Sequence, residues 1–219
     1  MEWIEVPEKG LTLREVRTMT NRNVNLSDDL EKSVSAILAQ VKEGGDEAIR
    51  ALTKKFDGVD LTDFRVSESE IEEAVKAVGP EFLSVLKEAK ENIEAFHREQ
   101  VRKSWSKTFR DGVELGERFL PIQRVGVYVP GGRAAYPSTV LMDTVPAMVA
   151  GCPSVAMATP PGKDGKVNPN ILAAAYVAGV KEIYKVGGAQ GIGMLAYGTE
   201  TVEPVFKIVG PGNAFVAMA

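Results

Sequence analysis

Three polar side chains in this sequence stand where they could do chemistry, each beside a glycine-rich turn. Tyr128 precedes Val129-Pro130-Gly131-Gly132-Arg133, Gln190 follows Val186-Gly187-Gly188-Ala189, and Asn213 follows Ile208-Val209-Gly210-Pro211-Gly212. Glycine lets the backbone turn sharply and lets a ligand approach with no Cβ in the way. In open α/β sheets, ligands bind outside the carboxyl ends of the strands. The chemistry is therefore the holding of an extended small molecule along one sheet edge. A tyrosine there can stack on a base or hydrogen-bond a ribose, and the two amides can donate and accept to ribose or pyrophosphate. Each also has a plainer role open to it. Tyr128 can close the rim of the core, and Asn213 can cap a helix. Gln190 suits capping less, because Gln is not a favoured N-cap residue. Arg133 and Ser138, near the next helix start, can bind an anion or simply face solvent.

Other chemistries find little material. The dinucleotide fingerprint G-x-G-x-x-G with an acid about 20 residues on is absent, since Gly187-Gly188 and Gly191-x-Gly193 do not match its spacing. No P-loop lysine follows any of the turns. The single histidine, His97, and single cysteine, Cys152, cannot build a common zinc site without carboxylates or another chain. They also leave little for a Ser-His or Cys-His nucleophile. His97 lies between Phe96 and Arg98 on a helix, where packing or exposure is the commoner fate. Cys152 precedes Pro153 in an apolar stretch and reads as a small buried hydrophobe.

The elements that must position these residues differ between the two halves. Residues 1–117 are charged and helical in pattern. Leu30, Val34, Ile37, Leu38 and Val41 recur at helical spacing, with Asp28 and Glu31 as a capping box. Ile49, Leu52 and Phe56 continue the pattern over 47–56. Ser67-Glu68-Ser69-Glu70 caps a third helix bearing Ile71, Ala74, Val75 and Val78. Pro80 opens a long helix with Phe82, Leu83, Leu86, Ala89, Ile93 and Phe96 on one side. Asp111-Gly112 is the turn of a short hairpin. Residues 118–219 are poor in charge and rich in Gly, Ala and Val. Strand-like runs at 124–129, 154–159, 182–186 and 205–209 alternate with helical segments near 137–151, 169–178 and 189–197. That alternation predicts an α/β fold with right-handed βαβ units and a parallel sheet. The expected organisation is a Rossmann-like unit over 118–219, preceded by a helical region over 1–117 that belongs to a second, incomplete α/β domain.

The bulk composition narrows the class. The 219 residues are 44% hydrophobic and 26% charged with a net charge of -4, which fits a globular protein with a real core. No basic stripe recommends nucleic acid. The Ala/Val-rich stretch from Val140 to Ala158 is broken by Asp143, Pro146 and Pro153, so it does not read as a membrane span. One cysteine and no leader-like start point to a reducing, cytoplasmic setting. The chain stops two turns after a glycine-rich turn has opened a helix, an end that reads as the break point of a fragment.

Taken in order, the motifs form a series. It comprises Val125-Gly126-Val127-Tyr128-Val129-Pro130-Gly131-Gly132, Ser138-Thr139-Val140-Leu141-Met142, Gly187-Gly188-Ala189-Gln190, Ala196-Tyr197-Gly198-Thr199-Glu200-Thr201 and Lys207-Ile208-Val209-Gly210-Pro211-Gly212-Asn213. This series closely resembles the histidinol dehydrogenases. Ile93-Glu94-Ala95-Phe96-His97 with Gln100 also resembles that family's long N-terminal helix. The resemblance covers essentially the whole chain and implies its N-terminal half. It implies oxidation of L-histidinol through an aldehyde to L-histidine, with two NAD used in succession and one zinc ion per site. Tyr128, Gln190 and Asn213 match the family's NAD-contacting positions. Zinc holds the substrate in that family, and a Glu-His pair serves the acid/base and hydride steps. These catalytic and metal-binding residues lie beyond the Gly-Pro-Gly-Asn turn, so none is carried over here. A homodimer or other homo-oligomer is expected. The rival expectation is an inactive fragment that holds nucleotide weakly or only self-associates. Where the family usually has alanine this sequence has Gly191 and Gly193, which predicts a looser helix after Gln190.

Overall fold

A computed structural model describes residues 10–13, 16, 28–131 and 135–219. Its two long N-terminal helices start where the sequence supplies acid and end where it supplies base. Helix α1, Asp28–Asp57, carries Asp28, Asp29 and Glu31 in its first turn and Lys54 and Lys55 in its last, matching the helix dipole. Asp28 is the first helical residue, so it acts as a first-turn acid rather than as the cap. Gly45 breaks the run with φ 48° and ψ −133°, and the Asp46 amide just past the break donates to Glu200 Oε2 at 2.7 Å. Helix α2, Glu68–Arg98, opens with the expected capping box. Glu70 N donates to Ser67 Oγ at 3.2 Å, and Ser67 N donates to Glu70 Oε2 at 2.9 Å. A second break at Gly79 sits directly before Pro80.

Strands β1, Trp105–Arg110, and β2, Val113–Glu117, form the antiparallel hairpin around Asp111-Gly112. The remaining strands are β3, Arg124–Tyr128; β4, Ser154–Ala158; β5, Glu182–Tyr184; and β6, Lys207–Val209. They make one parallel sheet in the order β5-β4-β3-β6. Between and after them come α3, Pro137–Val149; α4, Pro169–Ala178; α5, Gly188–Tyr197; and α6, Ala214–Met218. These spans follow the alternation read from the sequence to within a few residues.

Helices cover both faces of the sheet, as parallel strands require. On one face Tyr128, Ala156, Ala158 and Tyr184 pack with α1 and α5. On the other, Val127, Val129, Met157 and Ile183 pack with α2, α3 and α4. Each core therefore draws side chains from both sides of the compositional break at residue 117. The apolar stripe of α1 is covered within the chain: Val41 is fully buried and Leu38 packs on α5. Gly193 explains the fit, because a Cβ there would stand 3.0 Å from Leu38 Cδ2 and 3.4 Å from Val41 Cβ. The glycine predicted to loosen α5 is the place where α1 crosses it closely. Phe96, expected on the core side of α2, is instead exposed and lies edge-on to the His97 ring. The first strand at the sheet's edge is also protected. Lys185 N donates to Phe64 O at 2.7 Å and Val66 N to Ile183 O at 2.9 Å, so residues 64–66 line the outer side of β5.

Candidate functional site

The strand order places β3 beside both β4 and β6. After β4 and β5 the chain moves outward from β3, and it then returns to β3's other side as β6. A crevice opens where the order reverses, beyond the carboxyl ends of β3 and β6. The loops leaving the strands close on each other there. A Cβ on Gly131 or on Gly187 would stand 2.5 Å from the Pro160 ring, so the turns after β3 and β5 clasp the turn after β4. Gly210 has φ +141°, and a Cβ on it would lie 2.1 Å from the Tyr128 carbonyl oxygen. Only glycine lets the β6 turn press on the end of β3.

These loops bound a cavity of about 830 Å³, and Tyr128, Gln190 and Asn213 all line it. Tyr128 is almost fully buried, and its hydroxyl accepts the Gly188 amide at 3.0 Å. Burial pushes its phenol above the ordinary value, and the Gly188 amide only partly offsets this. The phenol is therefore neutral at physiological pH and keeps its own proton to donate. Gln190 is buried in the first turn of α5. Asn213 caps α6, its Oδ1 accepting Phe215 N at 3.0 Å and Val216 N at 3.1 Å. The cap engages only the oxygen, so the amide nitrogen has no part in it. No side chain caps α3 or α5, whose first turns border the cavity at Thr139 and Gly188.

The cavity also has lining residues that the sequence reading missed. Phe56, read as part of the α1 core stripe, is 50% exposed and forms one wall. Asp57 is the last residue of α1, and its Oδ2 is buried with no hydrogen-bond partner. Burial raises its carboxyl above the ordinary aspartate value. A signal was present in the sequence: an acid in the last turn opposes the helix dipole, and a residue that breaks a local rule is a candidate for function.

Other predicted residues lie elsewhere. Ser138 is exposed on the first turn of α3 and does not line the cavity, whereas its neighbour Thr139 does. Gly132 and Arg133 lie outside the described residues. His97 sits near the end of α2 with Nδ1 2.7 Å from Gln100 Oε1. Cys152 is half-buried rather than buried, because it sits in the turn that ends α3, its amide donating to Ala147 O at 3.0 Å. Among the described residues no group of three or more His, Cys, Asp and Glu side chains could hold a metal ion. Zinc therefore does not fit the described residues. No described helix is long and apolar enough to cross a membrane.

Residues 20–219 match the family model described as histidinol dehydrogenase. The chain belongs to the histidinol dehydrogenase family. Histidinol dehydrogenase from Bacillus licheniformis is 50% identical over 193 residues, which is 88% of this chain and 45% of that protein. The one from Methanothermobacter thermautotrophicus is 52% identical over 192 residues, again 88% and 45%. The crystal structure of histidinol dehydrogenase from Elizabethkingia anophelis superposes with a TM-score of 0.87 at 41% identity, covering 95% of this chain and 48% of that one. The chain thus spans about half the length of the histidinol dehydrogenases it matches.

Proposed function

We propose that this chain supplies the nucleotide-holding half of an NAD-dependent oxidation of L-histidinol to L-histidine. The observation that carries the reading is that Tyr128, Gln190 and Asn213 line one cavity at the reversal point of a parallel sheet. The sheet and its covering helices are read as a Rossmann-like unit, because the order β5-β4-β3-β6 is that of a dinucleotide-binding half with its fourth strand. NAD suits the residues present. The uncapped first turn of α5, at the cavity rim, presents amides to the anionic pyrophosphate. Tyr128 offers a hydroxyl proton and a ring edge, and Gln190 and Asn213 offer amide groups to ribose hydroxyls. When bound, NAD supplies the hydride acceptor. What this chain does for the reaction is hold and orient that acceptor. The zinc ligands and the acid/base pair are assigned to polypeptide outside these 219 residues.

The test is calorimetric titration of the protein with NAD. Tyr128→Ala and Gln190→Ala should each weaken binding about tenfold, the loss of one good hydrogen bond. Unchanged affinity in both variants would sink the reading. An NADH-absorbance assay with saturating histidinol, NAD and zinc should show only background turnover, since positioned acid/base groups alone contribute about 10²–10⁴ in rate. A second reading, that the chain mainly self-associates, is favoured by one observation. Trp105, Phe109 and Leu115 on the hairpin and Phe206 before β6 are exposed, and exposed apolar patches mark interaction surfaces. Sedimentation velocity tests it, with a homodimer or other homo-oligomer as the expected species.

A further inference from the structure

The motif Tyr197-Gly198-Thr199-Glu200-Thr201 does not line the cavity. It grips α1 instead, on both sides of the break at Gly45. Before the break, Lys42 Nζ stands 5.8 Å from the centre of the Tyr197 ring, within cation–π range. After the break, Asp46 N donates to Glu200 Oε2 at 2.7 Å, and Thr201 Oγ1 donates to Asp46 Oδ1 at 3.0 Å. The Glu200 carboxylate also fills the space beside Gly45 itself, where a Cβ would lie 2.3 Å from Oε2 and 2.5 Å from Oε1. With φ 48° and ψ −133°, Gly45 holds a backbone that other residues reach only with strain. The loop that delivers the carboxylate is tied down in turn. Thr199 N donates to Val202 O at 2.9 Å, Val202 is buried, and Val205 N donates back to Leu195 O at 2.8 Å.

The bend matters because both arms of α1 reach the cavity. Ile37 lines it from the first arm and Phe56 from the second. Close packing of Leu38 and Val41 on Gly193 fixes the first arm. The hold on Asp46 passes along the second. Arg50, one turn further on, lies 3.7 Å from Asp46 Oδ2, donates its Nε to Thr62 O at 3.0 Å and stands over the Phe64 ring. Phe56 lies ten residues beyond Asp46, about 15 Å along the helix. At that reach a change of about 10° in the bend moves the ring by roughly 2–3 Å.

Resting on the reading of that cavity as a nicotinamide-nucleotide site, we infer that Glu200 is a positioning residue. By holding Asp46 it sets the bend of α1, and through the bend it places the Phe56 ring against the bound nucleotide. Glu200 does not line the cavity, so it acts only through the helix. Phe56 is half-exposed there and offers its ring as apolar contact area to a ligand. The motif and the cavity are thus two ends of one lever, with Gly45 as its fulcrum.

The experiment joins amide hydrogen exchange without ligand to calorimetric titration with NAD, and circular dichroism checks that each variant folds. Glu200→Ala should speed exchange over residues 46–57 about tenfold and leave β3 and β4 unchanged, whereas a loss of general stability would raise exchange throughout. The same variant should weaken NAD about fivefold, and Phe56→Ala should do about the same. The two act in series, so the double variant should be no more than about twofold weaker than Phe56→Ala alone. Glu200→Gln keeps an acceptor oxygen at the same reach and should bind NAD within about twofold of the unaltered protein. Exchange unmoved over 46–57, NAD affinity unmoved by Glu200→Ala, effects of Glu200→Ala and Phe56→Ala that simply add, or a Gln variant as weak as the Ala variant each overturn the inference and leave the cavity's role standing. If the unaltered protein binds no NAD, the cavity's role fails and the positioning role falls with it.

Discussion

The two ends of the parallel sheet are built to opposite rules. At the amino end, Arg124 opens β3 and reaches across its neighbours. Its guanidinium donates to both Glu182 oxygens and to Ser154 Oγ at 2.6 Å, and its Nε donates to the Glu203 carbonyl at 3.3 Å. Tyr184 adds its hydroxyl to Glu182. Burial alone would raise the Glu182 carboxyl, but these hydrogen bonds and the Arg124 charge outweigh it, so its pKa lies below the ordinary value. At the carboxyl end the loops touch through glycine and proline, and Asp57 keeps an unpartnered oxygen. One end spends its polar groups on itself. The other engages Tyr128 and Asn213 only in part and leaves the Asp57 oxygen unpartnered. The contrast teaches that where polar groups are satisfied matters more to the location of a site than how many there are.

The largest expected effect breaks the closed end. Arg124→Met leaves the half-buried Glu182 without its cation and should cost about 3–4 kcal/mol, read by urea denaturation. The double variant Arg124→Met/Glu182→Leu should recover a good part of that loss. The ion pair also fixes a pH dependence. Glu182 is depressed below its ordinary 4.5, so its contribution is present above that pH and is lost as pH falls through the native value. A single variant costing under about 1 kcal/mol would mean the network is only decorative.

Next comes Gly210→Ala at the open end. The new Cβ would fall 2.1 Å from the Tyr128 carbonyl oxygen at φ +141°, a clash and a backbone strain together worth about 2–4 kcal/mol. A midpoint within experimental error of the parent would show that this turn is not pinned to β3. A smaller change sharpens the comparison. Asn213→Ala removes the α6 cap and should cost about 1 kcal/mol of stability as well as weakening NAD. Weaker NAD binding with no loss of stability would instead assign Asn213 wholly to the ligand.

The smallest effect lies on α3, which runs from one end of the sheet to the other. Burial raises the Asp143 carboxyl to about 6, and its Oδ2 has no partner. A folded-state pKa raised above 3.8 favours the native state at low pH, and that advantage is lost as pH rises from about 4 through about 6. Asp143→Asn should therefore stabilise the protein at pH 7 by about 1 kcal/mol after allowance for partial solvent screening. The two proteins should melt alike at pH 4. A variant that melts lower at pH 7 would show that the ionised carboxylate is useful there.

Much of this was legible in the residues. The strand and helix spans after residue 118 follow from runs of Val, Ile and Ala punctuated by Gly and Pro, because period and turn chemistry are local properties. The Ser67–Glu70 capping box and the Asp111-Gly112 hairpin are local in the same way, and both are found. Phe56 was less transparent, since its spacing with Ile49 and Leu52 suits a core stripe. The helix axis turns that position out toward the cavity, and no local pattern reports where a helix points.

By itself the sequence determined the elements, their parallel alternation and the glycine turns that bring Tyr128, Gln190 and Asn213 to strand ends, because each is encoded within a few consecutive residues. Only the tertiary structure decided what meets what. It seated α1 on Gly193, clasped Pro160 between Gly131 and Gly187, and carried Asp57 from the N-terminal helix to the cavity wall. Those contacts join residues far apart in the chain. They follow from close packing and the burial of apolar faces, which act on the assembled shape rather than on neighbours in sequence.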